Sequence, residues 1–153
     1  VAKEYPSALL GAGTVLNAEQ AHQALAAGAR FGVSPGLTPE LADAVKSLDW
    51  PFLPGVATVS EAMAAYAQGF SFQKFFPAEA SGGSVFLKSL SIVLPEVRFS
   101  PSGGLGPSNI AEYLALPNVV AVGGSWMVVR KPDGSPDLEE IRREARSCAA
   151  VRQ

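Results

Sequence analysis

The chain has 153 residues, with 12 Lys and Arg against 14 Asp and Glu, a formal net charge of -2 and 48% apolar residues. This length suits one domain, residues 1–153, with a sizeable core, and the apolar share is that of a packed globule and not of a disordered segment. The near-neutral charge offers no basic stripe for nucleic acid and no reason to bind an anionic membrane, while one Cys and one His leave no disulfide framework and none of the usual zinc spacings.

No apolar run approaches the ~20 residues that span a bilayer, and no signal-peptide pattern opens the chain. The expectation is a cytoplasmic protein, with Cys148 a packed thiol in a C-terminal helix. Val1–Pro6 reads as a polar lead-in. Ala8–Thr14 is a short apolar run punctuated by Gly11 and Gly13, suited to a buried strand. Asn17 can cap a helix over Glu19–Ala27, with Gly28 as its stop. Phe31–Gly36 is a second strand, and Thr38 with Pro39 opens a second helix.

The unit then recurs. Pro51–Gly55 is a strand followed by a helix over Thr58–Gln68, and Ser71–Phe76 is a strand followed by Gly82-Gly83 and a helix over Ser84–Ile92. Val97–Ser100 leads through Pro101-Ser102-Gly103-Gly104 to a helix over Pro107–Leu114. Val119–Val122 is a sixth strand ending in Gly123-Gly124-Ser125-Trp126, and an amphipathic helix over Pro136–Val151 closes the chain with a solvated charged face. Helix-borne His22 is expected at the surface.

Strand-then-helix alternation with short connections implies parallel strands and right-handed crossovers. A doubly wound sheet should carry a glycine-rich dinucleotide turn, but Gly11-Ala12-Gly13 does not extend to that pattern. The glycine, serine and lysine residues gather instead after each strand, where a (β/α)8 TIM barrel places its functional loops. The expected fold is therefore such an α/β barrel, with about six of its eight strand–helix units in this chain.

Within Phe72–Phe76 the side chains alternate, so Phe72, Lys74 and Phe76 share one face. There, burial disfavours the ammonium form of Lys74. Either Lys74 snorkels from a strand rim to water, or it faces the barrel mouth as an imine-forming amine, which must be neutral to attack a carbonyl. Ser102-Gly103-Gly104 and Gly123-Gly124-Ser125 follow the last two strands. They are either flexible turns or a phosphate cradle of close backbone N–H groups.

Together, Gly11–Asn17, Ser34-Pro35-Gly36, Phe75–Glu79, Pro101–Gly104 and Gly123–Trp126 resemble the class I 2-keto-3-deoxy-6-phosphogluconate (KDPG) and 4-hydroxy-2-oxoglutarate (KHG) aldolase family. The resemblance implies a barrel, usually a homotrimer, that reversibly cleaves a phosphorylated 2-keto sugar acid, KDPG, to pyruvate and glyceraldehyde 3-phosphate. It implies Lys74 as the imine-forming lysine, and Thr14, Pro35, Phe76 and Ser102 at the pyruvate end. Gly103, Gly104, Gly124 and Ser125 would sit at the phosphate end. No metal or cofactor is implied, since the imine supplies the electron sink.

The family carries its proton-shuttling glutamate and a carboxylate-binding arginine on a strand that would precede Val1. Turnover is therefore expected to be impaired in the chain as it stands. Glu79 is the one nearby carboxylate that could substitute. The alternatives are a non-catalytic phosphate-ligand-binding or subunit-interface module, or another phosphate-binding TIM-barrel enzyme with Lys74 acting only electrostatically. Trp126 is expected to pack over the second glycine loop.

Overall fold

The computed structural model describes residues 3–150. Val1 and Ala2 of the expected lead-in and Val151 of the expected last helix lie outside them. Six short strands and six α-helices alternate among the described residues: β1 Gly11–Ala12, α1 Ala18–Ala26, β2 Phe31–Val33, α2 Pro39–Ser47, β3 Phe52–Leu53, β4 Gly55–Val56, α3 Val59–Ala67, β5 Phe72–Phe75, α4 Gly83–Val93, β6 Arg98–Pro101, α5 Ile110–Leu114 and α6 Leu138–Ala150. The helices start where the side chains satisfy orphan amides. Asn17 and Thr38 accept from the third-residue N–H of α1 and α2, and Thr58 with Glu61 makes a reciprocal capping box on α3. Left-handed Gly28 and Gly69 follow the ends of α1 and α3.

All strands pair in parallel, in the orders β1-β2-β3 and β4-β5-β6. The third strand foreseen as one run is divided at Pro54, which has no N–H to give to a ladder. The segment around it nevertheless joins the two sheets. The Pro51 and Leu53 carbonyls accept from Gly32 and Ser34 on one side (2.9 and 3.1 Å), and the Pro54 and Val56 carbonyls accept from Lys74 and Phe76 on the other (2.8 and 3.0 Å). Five strand positions thus follow one another in chain order along the arc of a β/α barrel.

The expected sixth strand at Val119–Val122 is not a regular ladder. It runs parallel to β6 through bridges at Phe99↔Val119 and Ser102↔Gly123. Three steps along β6 there face four on its neighbour, and that one-residue excess is the arithmetic of a β-bulge, which interrupts pairing. A one-turn 3-10 helix at Glu79–Ser81 also went unanticipated, and α5 is shorter than expected because Pro107–Asn109 forms a turn with the Asn109 amide oxygen on the Gly106 N–H (2.9 Å).

The core lies between the outer face of the arc and the helices. On β5, Gln73 and Phe75 are fully buried on that face, and Phe75 stacks on Phe86 of α4 at 5.3 Å between ring centroids. Buried Leu87, Leu90, Phe99, Ile110 and Tyr113 continue this core, while Val15, Leu41, Val45 and Trp50 form a smaller one beside β1–β3. Among the described residues no helix is long and apolar enough to cross a membrane.

Candidate active site

The pairing of β5 with β6 sets Lys74 opposite Ser100 and Phe75 opposite Pro101. Since Phe75 and Pro101 face the helices, the pleat turns Lys74 and Ser100 to the inside of the arc. There a cavity of about 450 Å³ is lined by Val33, Leu53 and Phe76, by Lys74, Ser100 and Ser102, and by Gly103, Gly123, Gly124 and Ser125. Two strand ends and two glycine loops therefore open onto one space.

Lys74 is half-buried, and its ammonium lies over the Phe76 ring at 4.4 Å from the centroid. Two effects oppose each other. The ring face attracts a cation, by about 0.5–2 kcal/mol in general, whereas burial strips water from the charge. That burial holds Lys74 below the usual lysine range. The Ser102 hydroxyl is buried, with no hydrogen-bond partner of its own. Its backbone is fixed on both sides, the N–H on the Phe75 carbonyl (2.9 Å) and the C=O accepting from Ala78 (2.8 Å). A buried orphan hydroxyl on a clamped backbone is ready to bind a polar ligand atom.

Gly103 and Gly104 both take left-handed backbone, φ 98° and 84°, which excludes most side chains. The second loop is close-packed: a Cβ on Gly124 would fall 1.7 Å from the Trp126 ring, so the indole lies against that glycine as expected of a packing residue. Among the described residues the backbone N–H groups of Gly104, Gly124 and Ser125 have no protein acceptor, while that of Gly103 is directed to the Gly123 carbonyl in the Ser102↔Gly123 bridge. Three unspent donors around a small space suit an anion.

Of the expected site residues, Lys74, Phe76, Ser102, Gly103, Gly124 and Ser125 converge on this cavity. Gly104 is adjacent, packed against Glu79. Thr14 and Pro35 are not in its lining. Thr14 is exposed after β1 with φ 58°, and Pro35 borders a separate space of about 160 Å³ beside Gly55 and α3. Glu79 does not line the cavity either, and its carboxylate accepts from the Tyr113 hydroxyl. His22 is exposed on α1. Ser100 was missed by sequence reasoning, although the alternation that selected Lys74, applied to Arg98–Ser102, puts Ser100 and Ser102 on one face.

Residues 1–144 match the family model described as KDPG and KHG aldolase. The chain is 44% identical over 148 residues to the KHG/KDPG aldolase of Escherichia coli (strain K12), covering 97% of this chain and 70% of that protein. The 2-keto-3-deoxy-6-phospho-gluconate aldolase of Zymomonas mobilis ATCC 29191 superposes with a TM-score of 0.91 at 44% identity, over 97% of this chain and 71% of the other. The KDPG aldolase of Legionella pneumophila, with pyruvate captured at low pH as a covalent carbinolamine intermediate, superposes at 0.84 with 44% identity, over 98% and 71% of the two chains. The chain thus spans about 70% of the length of these relatives.

Proposed function

The chain belongs to the KDPG and KHG aldolase family, and on that premise we propose that Lys74 carries a carbon–carbon lyase reaction through an imine with the substrate ketone. The chain is a class I aldolase of 2-keto-3-deoxy-6-phosphogluconate, releasing pyruvate and, by the carbon count, glyceraldehyde 3-phosphate. The observation that carries the assignment to Lys74 is the half-buried amine, held below its ordinary pKa, in a cavity it shares with an orphan hydroxyl and two glycine loops.

The neutral Nζ attacks C2 of the 2-keto acid to give a carbinolamine, and loss of water leaves a protonated imine. Removal of the C4 hydroxyl proton then lets the C3–C4 electron pair move into the iminium. The aldehyde departs and an enamine of pyruvate remains. Protonation at C3 and hydrolysis return pyruvate and free lysine. The Ser102 hydroxyl is placed to bind the 2-keto acid carboxylate, and the glycine loops the phosphate. Among the described residues no carboxylate lines the cavity, so the proton step is assigned to none of them. Glu79 is not proposed for it, being tied to Tyr113.

Incubation with pyruvate and borohydride, followed by peptide mapping, tests the assignment. A single reduced adduct on Lys74, absent in Lys74→Ala, is expected. No adduct, or one that persists in the variant, would sink it.

A further inference from the structure

The free amides of the glycine loops are those of Gly104, Gly124 and Ser125, and the backbone around the first of them shows what aims it. In a planar trans peptide the C=O and N–H point in opposite directions. Fixing a carbonyl on one side therefore directs the following N–H to the other. The first loop has three such carbonyls held in a row. The Ser102 carbonyl accepts from the Ala78 N–H at 2.8 Å, the Gly103 carbonyl from the Glu79 N–H at 3.1 Å, and the Gly104 carbonyl from the Asn109 side-chain amide at 3.3 Å. The Gly104 N–H is thereby turned away from the 3-10 helix, and the Gly103 N–H toward the Gly123 carbonyl across the bridge.

Two of those three tethers depend on where Glu79 sits. Its stem lies against Gly104, where a Cβ would come within 2.6 Å of the Glu79 Cγ. Its carboxylate accepts from the hydroxyl of Tyr113, which is 1% exposed in the core beneath α5. Burial and the Glu79 carboxylate push the Tyr113 hydroxyl above the usual phenol range, so it remains a donor. The same carboxylate oxygen is near Gly83, the first residue of α4, where a helix N-terminus favours negative charge. Glu79, itself exposed, is therefore held at its carboxylate by a core tyrosine and supports the loop with its backbone and stem.

We infer that Glu79, anchored by Tyr113, is a positioning residue that aims the Gly104 amide at the phosphate of the substrate. The inference rests on the aldolase reading above for the identity of the ligand. It goes beyond that reading in giving Glu79 a part in specificity for phosphorylated over unphosphorylated 2-keto acids.

The test needs no turnover. For the full chain and for Glu79→Ala, Glu79→Gln and Tyr113→Phe, the dissociation constant of inorganic phosphate is measured by calorimetry, and the rate of borohydride trapping of pyruvate on Lys74 is measured alongside. Glu79→Ala and Tyr113→Phe should weaken phosphate about tenfold, the order expected for losing a charge-assisted hydrogen bond, and slow trapping much less. Glu79→Gln, which can still accept from Tyr113, should retain phosphate affinity. Phosphate binding that is unchanged or tighter in Glu79→Ala would overturn the inference, since it would make the carboxylate a bystander or a source of repulsion. Equal losses in both readouts would overturn it as well, by showing general loosening. If Glu79→Ala does not fold, Tyr113→Phe, which keeps Glu79 and both loop glycines and removes only the anchoring hydroxyl, provides the same comparison. A parent chain that binds phosphate but traps no pyruvate would refute the aldolase reading alone.

Discussion

Lys74 sits in two environments that pull its proton in opposite directions. The Phe76 ring favours the ammonium form, and burial favours the amine and lowers its pKa. The unfolded chain therefore holds this proton more tightly than the fold does. The burial cost is present at pH below the folded value and fades as pH rises through the window between the folded and the ordinary lysine value. Imine formation follows the same titration. The rate of pyruvate trapping should rise with pH to a midpoint below that of Nα-acetyl-lysine run in parallel. Phe76→Ala should move that midpoint upward, because admitting water outweighs losing the ring. Equal midpoints for protein and free lysine, or a downward move in Phe76→Ala, would show that burial does not control the amine. Alternation along one strand was enough to find Lys74, and it would have found Ser100. Thr14 and Pro35 could not be placed in that way, because they sit in loops whose path depends on distant strands.

Glycine at the junction of the two sheets has a stricter role than at most turns. Gly55 starts β4, and a Cβ there would lie 2.1 Å from the carbonyl carbon of Pro35. The obstacle is backbone and cannot swing aside, so β2 and the third strand could not keep their spacing. Gly55→Ala should cost about 3 kcal/mol or more, at the upper end for overpacking. Gly106, where a Cβ meets nothing within 4 Å, provides the control. Gly106→Ala should stay within about 0.5 kcal/mol of the parent. Urea denaturation of both variants gives the answer, and similar midpoints would refute the packing argument. Helix starts were the most legible elements, since Asn17, Thr38 and Thr58 cap through contacts three residues away. The break at Pro54 could also have been foreseen, from the missing N–H. The bulge beside β6 could not, because a register excess exists only between two paired strands.

The barrel could be read from the clustering of glycine, serine and lysine at one end of every strand, a pattern that needs no long-range information. How stability is shared around the arc could not be read so, because it depends on which side chains meet. Among the described residues, thirteen buried ones join the core behind β4–β6, against five in the core behind β1–β3. Local opening is governed by the apolar contacts that must be lost, so the first half should open at lower free energy than the second. Amide exchange can test this with hydrogen-bonded reporters from both halves. Arg30 and Gly32 donate to the Leu10 and Pro51 carbonyls, while Lys74 and Ser102 donate to the Pro54 and Phe75 carbonyls. The Lys74 and Ser102 amides should exchange at least about tenfold more slowly after correction for intrinsic rates, a gap of about 1.4 kcal/mol. Equal protection would mean that the arc opens as one unit, with the Pro51–Val56 segment coupling its halves too tightly for the smaller core to yield first. Slower exchange at Lys74 would instead place the strand that carries it in the most persistent part of the fold, which is where a lysine proposed to act beside Ser102 and the glycine loops needs to be.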